Sequence, residues 1–471
     1  MADRLSALDA SFLHLEEPTT PMHVGSLALF TPPRGGLDFD DFVAHVGARI
    51  GLVPRYRQRI ISVPGNVANP VWADDPDFDL SYHLRRSAIP RPGSEESLLE
   101  LVARLISRPL DRNRPLWEMY VVDGLSGNRL AVISKTHHAM VDGLAAVDLG
   151  QVMLDPTRTP PPVPEPAPWE PEPTPSPIEL VRDALTDIAH RPSSAVDAFR
   201  GALIDVQTTA DRVLSMVGGL TSAVVTASRP APEGPLNVEI GSSRRYAIAR
   251  TTLADHKAVR ARHGGTVNDV VLATVAGGLR SFLMSRGEDV RPGTALRALV
   301  PVSVRASSEP AAGDEAGPAS GNKILCYLVD LPVGDADPIG RLAKVSESTR
   351  MVKTSGQSVG ADALIRMAGF APPTLHAVGA RAVNAWSRRL FNVIVTNVPG
   401  PQFPLYAAGA RLREVFPIVP LAKGQALGIG LTSYNGGVYY GLNADRHAMG
   451  DVDVAAGMLT DSLAELVGAS R

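Results

Sequence analysis

Leu130-Ala131-Val132-Ile133-Ser134-Lys135-Thr136-His137-His138-Ala139-Met140-Val141-Asp142-Gly143 runs from an apolar block through two histidines into an Asp-Gly turn. Four consecutive aliphatic residues predict a short strand covered on both faces. Leu144-Ala145-Ala146-Val147 then opens a helix. Adjacent strand residues point to opposite faces, so His137 and His138 are not expected to serve one site. No metal centre is expected from the pair, and no HxxxH or CxxC spacing occurs elsewhere. One imidazole should face a cleft and the other the interior. An imidazole titrates close enough to neutrality to take a proton from an alcohol. Asp142 is placed to cap the following helix or to pair with a buried cation. Gly143 permits close approach of a ligand or backbone. Two packed histidines, an Asp N-cap and a tight-turn glycine would account for these residues singly. The intact seven-residue string points to chemistry.

Outward from this stretch, composition sets limits. A chain of 471 residues predicts two domains. With 44% apolar and only 5% aromatic residues, the core must be mainly aliphatic, and global disorder is excluded. Forty-six basic and forty-nine acidic side chains leave a net charge of −3, so no nucleic-acid partner is expected. The single cysteine, Cys326, permits no intrachain disulfide and fits a reducing compartment. Acids at Asp3 and Asp9 occupy positions where a secretory leader needs a basic and then an apolar region. No stretch reaches the ~18 apolar residues of a spanning helix. Residues 213–227 come nearest, as a packed helix or a surface element touching a membrane. A soluble or peripheral cytoplasmic protein is expected.

Eleven of the forty prolines fall within residues 156–177, around Trp169, and predict an exposed, stiff connector. The expected organisation is an N-terminal lobe over 1–155, this linker over 156–177, a helical connector over 178–235 and a C-terminal lobe over 236–471. Ser94 should cap a helix with Leu98, Val102, Leu105 and Ile106 on its buried stripe. Residues 119–122 and 390–396 read as strands. Asn435-Gly436 should close a hairpin between residues 427–434 and 438–442. Leu459, Leu463, Leu466 and Val467 mark the last helix, and residues 307–320 a surface loop. The fold class is α/β (α+β), in two lobes.

The string His138-x-x-x-Asp142-Gly143 resembles the active-site motif of the CoA-dependent acyltransferase superfamily. With His137 doubling it, the chain resembles condensation-like proteins and the bacterial wax ester synthase/diacylglycerol acyltransferases. Pro115-Leu116-Trp117, Asn268-Asp269, Pro301-Val302-Ser303-Val304-Arg305 and Asn397-Val398-Pro399-Gly400-Pro401 favour the latter. Leu8-Asp9-Ala10-Ser11-Phe12-Leu13 and Pro21-Met22-His23-Val24-Gly25 are similar to that family too, so the likeness spans nearly the whole chain. The resemblance implies a chloramphenicol-acetyltransferase-like fold with a tunnel between two lobes. It implies His138 as the base, with Asp142 turned away and paired with an arginine, for which Arg305 is the candidate. It also implies long-chain acyl-CoA as co-substrate, without a further cofactor. Diacylglycerol or a fatty alcohol would be the acceptor, met at the inner membrane face or a lipid-droplet surface. A carrier-dependent condensation enzyme and a catalytically silent lipid-binding protein share the fold and stay open as alternatives.

Other groups have plainer readings. Thr266-x-x-Asp269 matches a helix-capping box, which accounts for Thr266 and Asp269 without function. It does not account for Asn268, whose carboxamide could donate to a developing oxyanion. Pro115-Leu116-Trp117 reads as the entrance to a strand, and Asn397 begins a rigid turn. Gly356-Gln357-Ser358-Val359-Gly360 matches a serine-hydrolase elbow, with His263, Asp445 and His447 in suitable order. An elbow needs a buried strand before its serine, however, and residues 342–353 are charged and helix-like. Arg55, Arg57 and Arg59 alternate as on a strand face, solvated or facing CoA phosphates. Arg388-Arg389 beside Trp386 could meet an anionic surface or water.

Overall fold

The computed structural model describes residues 3–141, 149–160, 169–190, 231–232, 234–304, 323–354 and 390–470. In chain order the strands begin with β1 Asp3–Arg4, β2 His23–Thr31, β3 Gln58–Ile61, β4 Val71–Asp74 and β5 Leu84–Ala88. Next come β6 Trp117–Leu125, β7 Arg129–His137, β8 Arg244–Thr252, β9 Leu296–Val304 and β10 Lys323–Leu331. The last are β11 Val393–Pro399, β12 Tyr406–Ala407, β13 Ala410–Ile418, β14 Leu427–Tyr434 and β15 Gly437–Asp445. Helices longer than one turn are α1 Ala7–Leu15, α2 Phe39–Ile50, α3 Glu95–Ile106 and α4 Pro177–His190. They continue with α5 Leu253–His263, α6 Val267–Ser285, α7 Pro338–Thr354 and α8 Val452–Ala469.

The apolar block 130–133 lies in β7, and strand alternation divides it between two cores. Leu130 and Val132 pack with Phe42, Val46 and Trp117. Ala131 and Ile133 pack with Leu98, Val102 and Phe416. Both faces are dry, which is why the run is continuous rather than alternating. On the second face lies α3, capped by the Ser94 hydroxyl, which accepts the Ser97 N–H at 3.2 Å. Leu98, Val102, Leu105 and Ile106 recur at helical spacing and are all buried there. Each contributes roughly 1.5–3 kcal/mol relative to exposure.

Two six-stranded sheets organise the lobes. The C-terminal one runs β10-β9-β11-β14-β15-β8, with β11 parallel to both β9 and β14. Asn435 and Gly436, at φ 46° and 86°, close the β14–β15 hairpin as Asn-Gly predicts. Across its core, α6 packs closely on α8. A Cβ at Gly278 would lie 3.0 Å from the Leu459 Cα, so only glycine lets the two backbones approach this far. Among the described helices α6 alone is long and apolar enough to cross a membrane, yet 72% of its most apolar window is buried inside the protein. It is the core helix of its lobe. Residues 213–227 and 307–320 and the Arg388-Arg389 pair lie outside the described residues.

The N-terminal sheet runs β12-β13-β2-β7-β6-β5, so two of its strands come from residues 406–418. Leu27 pairs with Phe416 on one side and with Ile133 on the other. To reach this sheet, β13 passes over the other lobe at a notch. Gly430 and Gly441 face each other across β14 and β15. A Cβ at Gly441 would lie 2.1 Å from the Pro417 carbonyl oxygen. No boundary in the sequence announces this return crossing. Arg250 of β8 adds a clasp, reaching Glu95 at the start of α3 at 2.6 Å and Glu414 of β13 at 2.8 Å.

A small sheet, β1-β4-β3, lies under α4, whose Leu180 and Ala184 pack on Val63 and Val71. The described ends of the proline-rich segment are mostly exposed, and Trp169 anchors one of them. Trp169 meets Phe78 edge-on at 6.1 Å and carries the Arg57 guanidinium 4.4 Å above its ring. The arginine alternation is corrected here, because Arg55 and Arg57 lie in the 3-10 turn Pro54–Arg57 and only Arg59 in β3. Arg55 pairs with Asp3 at 2.7 Å and Arg59 with Asp75 at 4.0 Å.

Candidate active site

β7 ends at His137, and the single helical turn His138–Val141 follows at once. The change from strand to turn separates the two rings. His137 is fully buried, on the same strand face as Ile133 and Lys135. Its Nδ1 accepts the Ala139 N–H at 3.1 Å, which leaves the ring proton on Nε2. Nε2 lies 3.8 Å from a Glu16 carboxylate oxygen. Burial pushes the His137 pKa down to about 4, overriding Glu16, so the ring is neutral at physiological pH. His138 is half-buried, and its ring lies nearly flat on Phe12 of α1, centroids 4.1 Å apart at 21°.

The backbone around the pair is tied on both sides. The His137 N–H donates to the Leu116 carbonyl at 2.9 Å, and the His138 N–H to the Met22 carbonyl at 2.8 Å. Pro115-Leu116-Trp117 therefore buttresses the histidine turn through main chain. The Trp117 indole donates to the Tyr56 carbonyl at 2.8 Å and stacks on His83 at 4.7 Å. His23 pairs in register with His137 and hydrogen-bonds the Ile106 carbonyl at 2.8 Å. Burial holds it well below its ordinary pKa, with the Lys135 charge adding to the effect. Glu16 accepts the Met22 N–H at 3.2 Å and two Arg112 N–H groups at 2.6 and 3.0 Å. Sequence reasoning missed Glu16. An acid just after a helix, here followed by Glu17, carries no periodic or spacing signal, and only the fold sets it beside His137.

Across the molecule, the capping box is present at α6. Thr266 accepts from Asp269 N–H, and the Asp269 carboxylate accepts from Thr266 N–H at 2.8 Å and from the Thr349 hydroxyl at 2.7 Å. Asn268 takes no part in it. Its carboxamide oxygen accepts from Asn397 Nδ2 at 3.1 Å, uniting two residues 129 positions apart and leaving the Asn268 NH2 as a donor end. Asp142, Gly143 and Arg305 lie outside the described residues. No group of three or more His, Cys, Asp or Glu side chains among the described residues is arranged to hold a metal ion.

Among the described residues, the stretch ahead of the serine-hydrolase-like string is not the strand an elbow needs. Residues 342–353 lie in α7, not in a strand, and Ser358 lies outside the described residues. His263 hydrogen-bonds Ser470 at 3.0 Å. Asp445 is buried, capping the N–H groups of His447 and Ala448 at 2.9 Å, with Arg244 3.8 Å away.

The two-lobed α/β fold, with one half-buried and one fully buried histidine at a strand end, is of the chloramphenicol-acetyltransferase-like class. Residues 5–271 match the family described as wax ester synthase/diacylglycerol acyltransferase catalytic domain. Residues 320–467 match the WS/DGAT C-terminal domain. The chain belongs to this family. It is 34% identical to a probable diacylglycerol O-acyltransferase of Mycobacterium tuberculosis, tgs2, over 98% of both chains. It is 31% identical to tgs1 of the same organism, over 100% of this chain and 96% of the other. The wax ester synthase/diacylglycerol acyltransferase of Marinobacter aquaeolei superimposes with a TM-score of 0.68 at 28% identity, over 99% of each chain. A condensation domain of the calcium-dependent antibiotic synthetase shares the fold, with a TM-score of 0.58 at 15% identity.

Proposed function

We propose that this chain transfers long-chain acyl groups from acyl-CoA to diacylglycerol, and to fatty alcohols as wax ester synthases do, with His138 as the general base. The acceptor hydroxyl oxygen attacks the thioester carbonyl while the His138 imidazole takes its proton. A tetrahedral oxyanion forms, and the Asn268 NH2 with backbone donors would stabilise it. Its collapse breaks the carbon–sulfur bond, and the departing CoA thiolate recovers the proton from the imidazolium. Atoms balance without an acyl-enzyme or a further cofactor. The observation that carries this reading is the division of labour between the histidines. His137 is buried, neutral and bonded to Ala139, whereas His138 keeps a half-exposed ring. Asp142 and Arg305 would hold the turn's shape, as the family likeness suggests. Water-insoluble acceptors would be met at a cytoplasmic membrane or lipid-droplet surface.

The test is acceptor dependence. Purified protein with palmitoyl-CoA should release thiol quickly only when dioleoylglycerol or hexadecanol is supplied, with the ester accumulating in step. Equal thiol release without any lipid acceptor would make the protein a thioesterase and overturn the proposal.

A further inference from the structure

We infer that Phe12 is a positioning residue for the base, and that α1 serves as the back wall of the histidine turn. The inference rests on the reading of His138 as base. Two observations carry it. The first is the near-parallel stack of the Phe12 ring on the His138 ring, 4.1 Å between centroids at 21°. A ring held face to face cannot tumble about its side-chain bonds without losing the contact, and an aromatic face attracts the imidazolium more than the neutral ring. Both effects act where the base needs them, before and after it takes the proton.

The second observation is that α1 is itself anchored at both ends. Ser6 caps it, accepting the Asp9 N–H at 3.1 Å and donating to the Asp9 carboxylate at 2.7 Å. Just before it, Leu5 N–H donates to the Pro70 carbonyl at 2.9 Å, tying the helix to the small sheet. At the other end Arg112 donates to the Leu13 carbonyl at 2.9 Å and pairs with Glu16. Glu16 in turn holds Met22, whose carbonyl receives the His138 N–H. One short element therefore sets the plane of the His138 ring through Phe12 and the height of its backbone through Glu16 and Met22. The helix around Phe12 thereby acquires a task that core packing alone does not require.

The experiment compares Phe12→Leu, Phe12→Tyr and His138→Ala in the full chain, with palmitoyl-CoA and dioleoylglycerol. Leucine keeps apolar bulk and lacks a planar face, and tyrosine keeps the face. Phe12→Leu should lower kcat roughly 10–100-fold with the palmitoyl-CoA KM within about twofold of wild type. Phe12→Tyr should restore most of that loss. If Phe12→Leu does not fold, Phe12→Met carries the same comparison. Wild-type kcat in the leucine variant, or equal losses in leucine and tyrosine variants, overturns the inference. An active His138→Ala would instead overturn the base assignment. A dead His138→Ala beside a fully active Phe12→Leu removes only the role given to Phe12.

Discussion

The two six-stranded sheets have the same strand count and opposite origins. The C-terminal sheet is built wholly from residues 244–445, from strands of its own lobe. The N-terminal sheet, which carries the histidines, borrows β12 and β13 from residues 406–418. Its strand β2, whose preceding Met22 holds the His138 backbone, is covered on its outer edge by β13. An uncovered edge would present unpaired N–H and C=O groups. The difference teaches that the candidate base sits in a lobe the chain cannot complete until its last hundred residues fold back.

Substitutions can break this comparison, beginning with the base itself. His138→Ala should cut turnover roughly 10²–10⁴-fold while leaving the melting temperature near wild type. Full activity in that variant would move the base elsewhere. Next in size come paired core truncations, one in each sheet. Phe416→Ala in β13 and Leu331→Ala in β10 remove fully buried side chains and should each cost about 2–5 kcal/mol in urea unfolding. Only Phe416→Ala should also lower kcat of the folded fraction, because β13, unlike β10, pairs with the strand leading from Met22. Matching kcat values in the two variants would show that the borrowed strand does not reach the site.

Acid should separate the lobes' histidine economy. His137 is buried with its pKa pushed down to about 4, and burial likewise lowers His23, His45, His83 and His256. The unfolded chain binds protons these rings refuse when folded, so stability is full above about pH 6.5 and falls as pH drops toward 4. His137 alone accounts for up to roughly 3 kcal/mol across that window. Four of these five lie in the N-terminal lobe. Urea titrations at pH 7 and pH 5 should show the loss, and His137→Gln should make it shallower. A pH-independent midpoint would contradict the burial argument.

The smallest expected effect is at Asn268. Since Thr266 and Asp269 complete the cap without it, Asn268→Ala should leave the melting temperature almost unchanged. It should lower kcat roughly 10–100-fold, with little change in acyl-CoA KM. A lower melting temperature with normal kcat would return Asn268 to a structural role.

Local patterns were legible because they depend only on neighbours. The Ser94 cap, the Thr266–Asp269 box, the Asn435-Gly436 hairpin and the split of His137 from His138 each follow from a few consecutive residues. The arginine alternation failed for the converse reason. Pro54 starts a 3-10 turn that takes Arg55 and Arg57 off any strand face. Glu16, Phe12 and the Asn268–Asn397 pair were hidden or half-hidden, because their meaning lies in partners 121–129 positions away.

By itself the sequence determined two α/β lobes, the motif string that identifies the family, and that His137 and His138 point different ways. It could do so because hydrophobic periodicity, capping and turn chemistry act within about a dozen residues. Only the tertiary structure decided which sheet β13 joins, which ring backs His138 and which carboxylate faces His137. Those contacts are made across long loops, where closure costs little more for each added residue and the choice of partner is set by shape and burial. The glycine notch at Gly430 and Gly441 is such a choice. In sequence they are two ordinary glycines, and in the fold they are the gap through which one lobe completes the other.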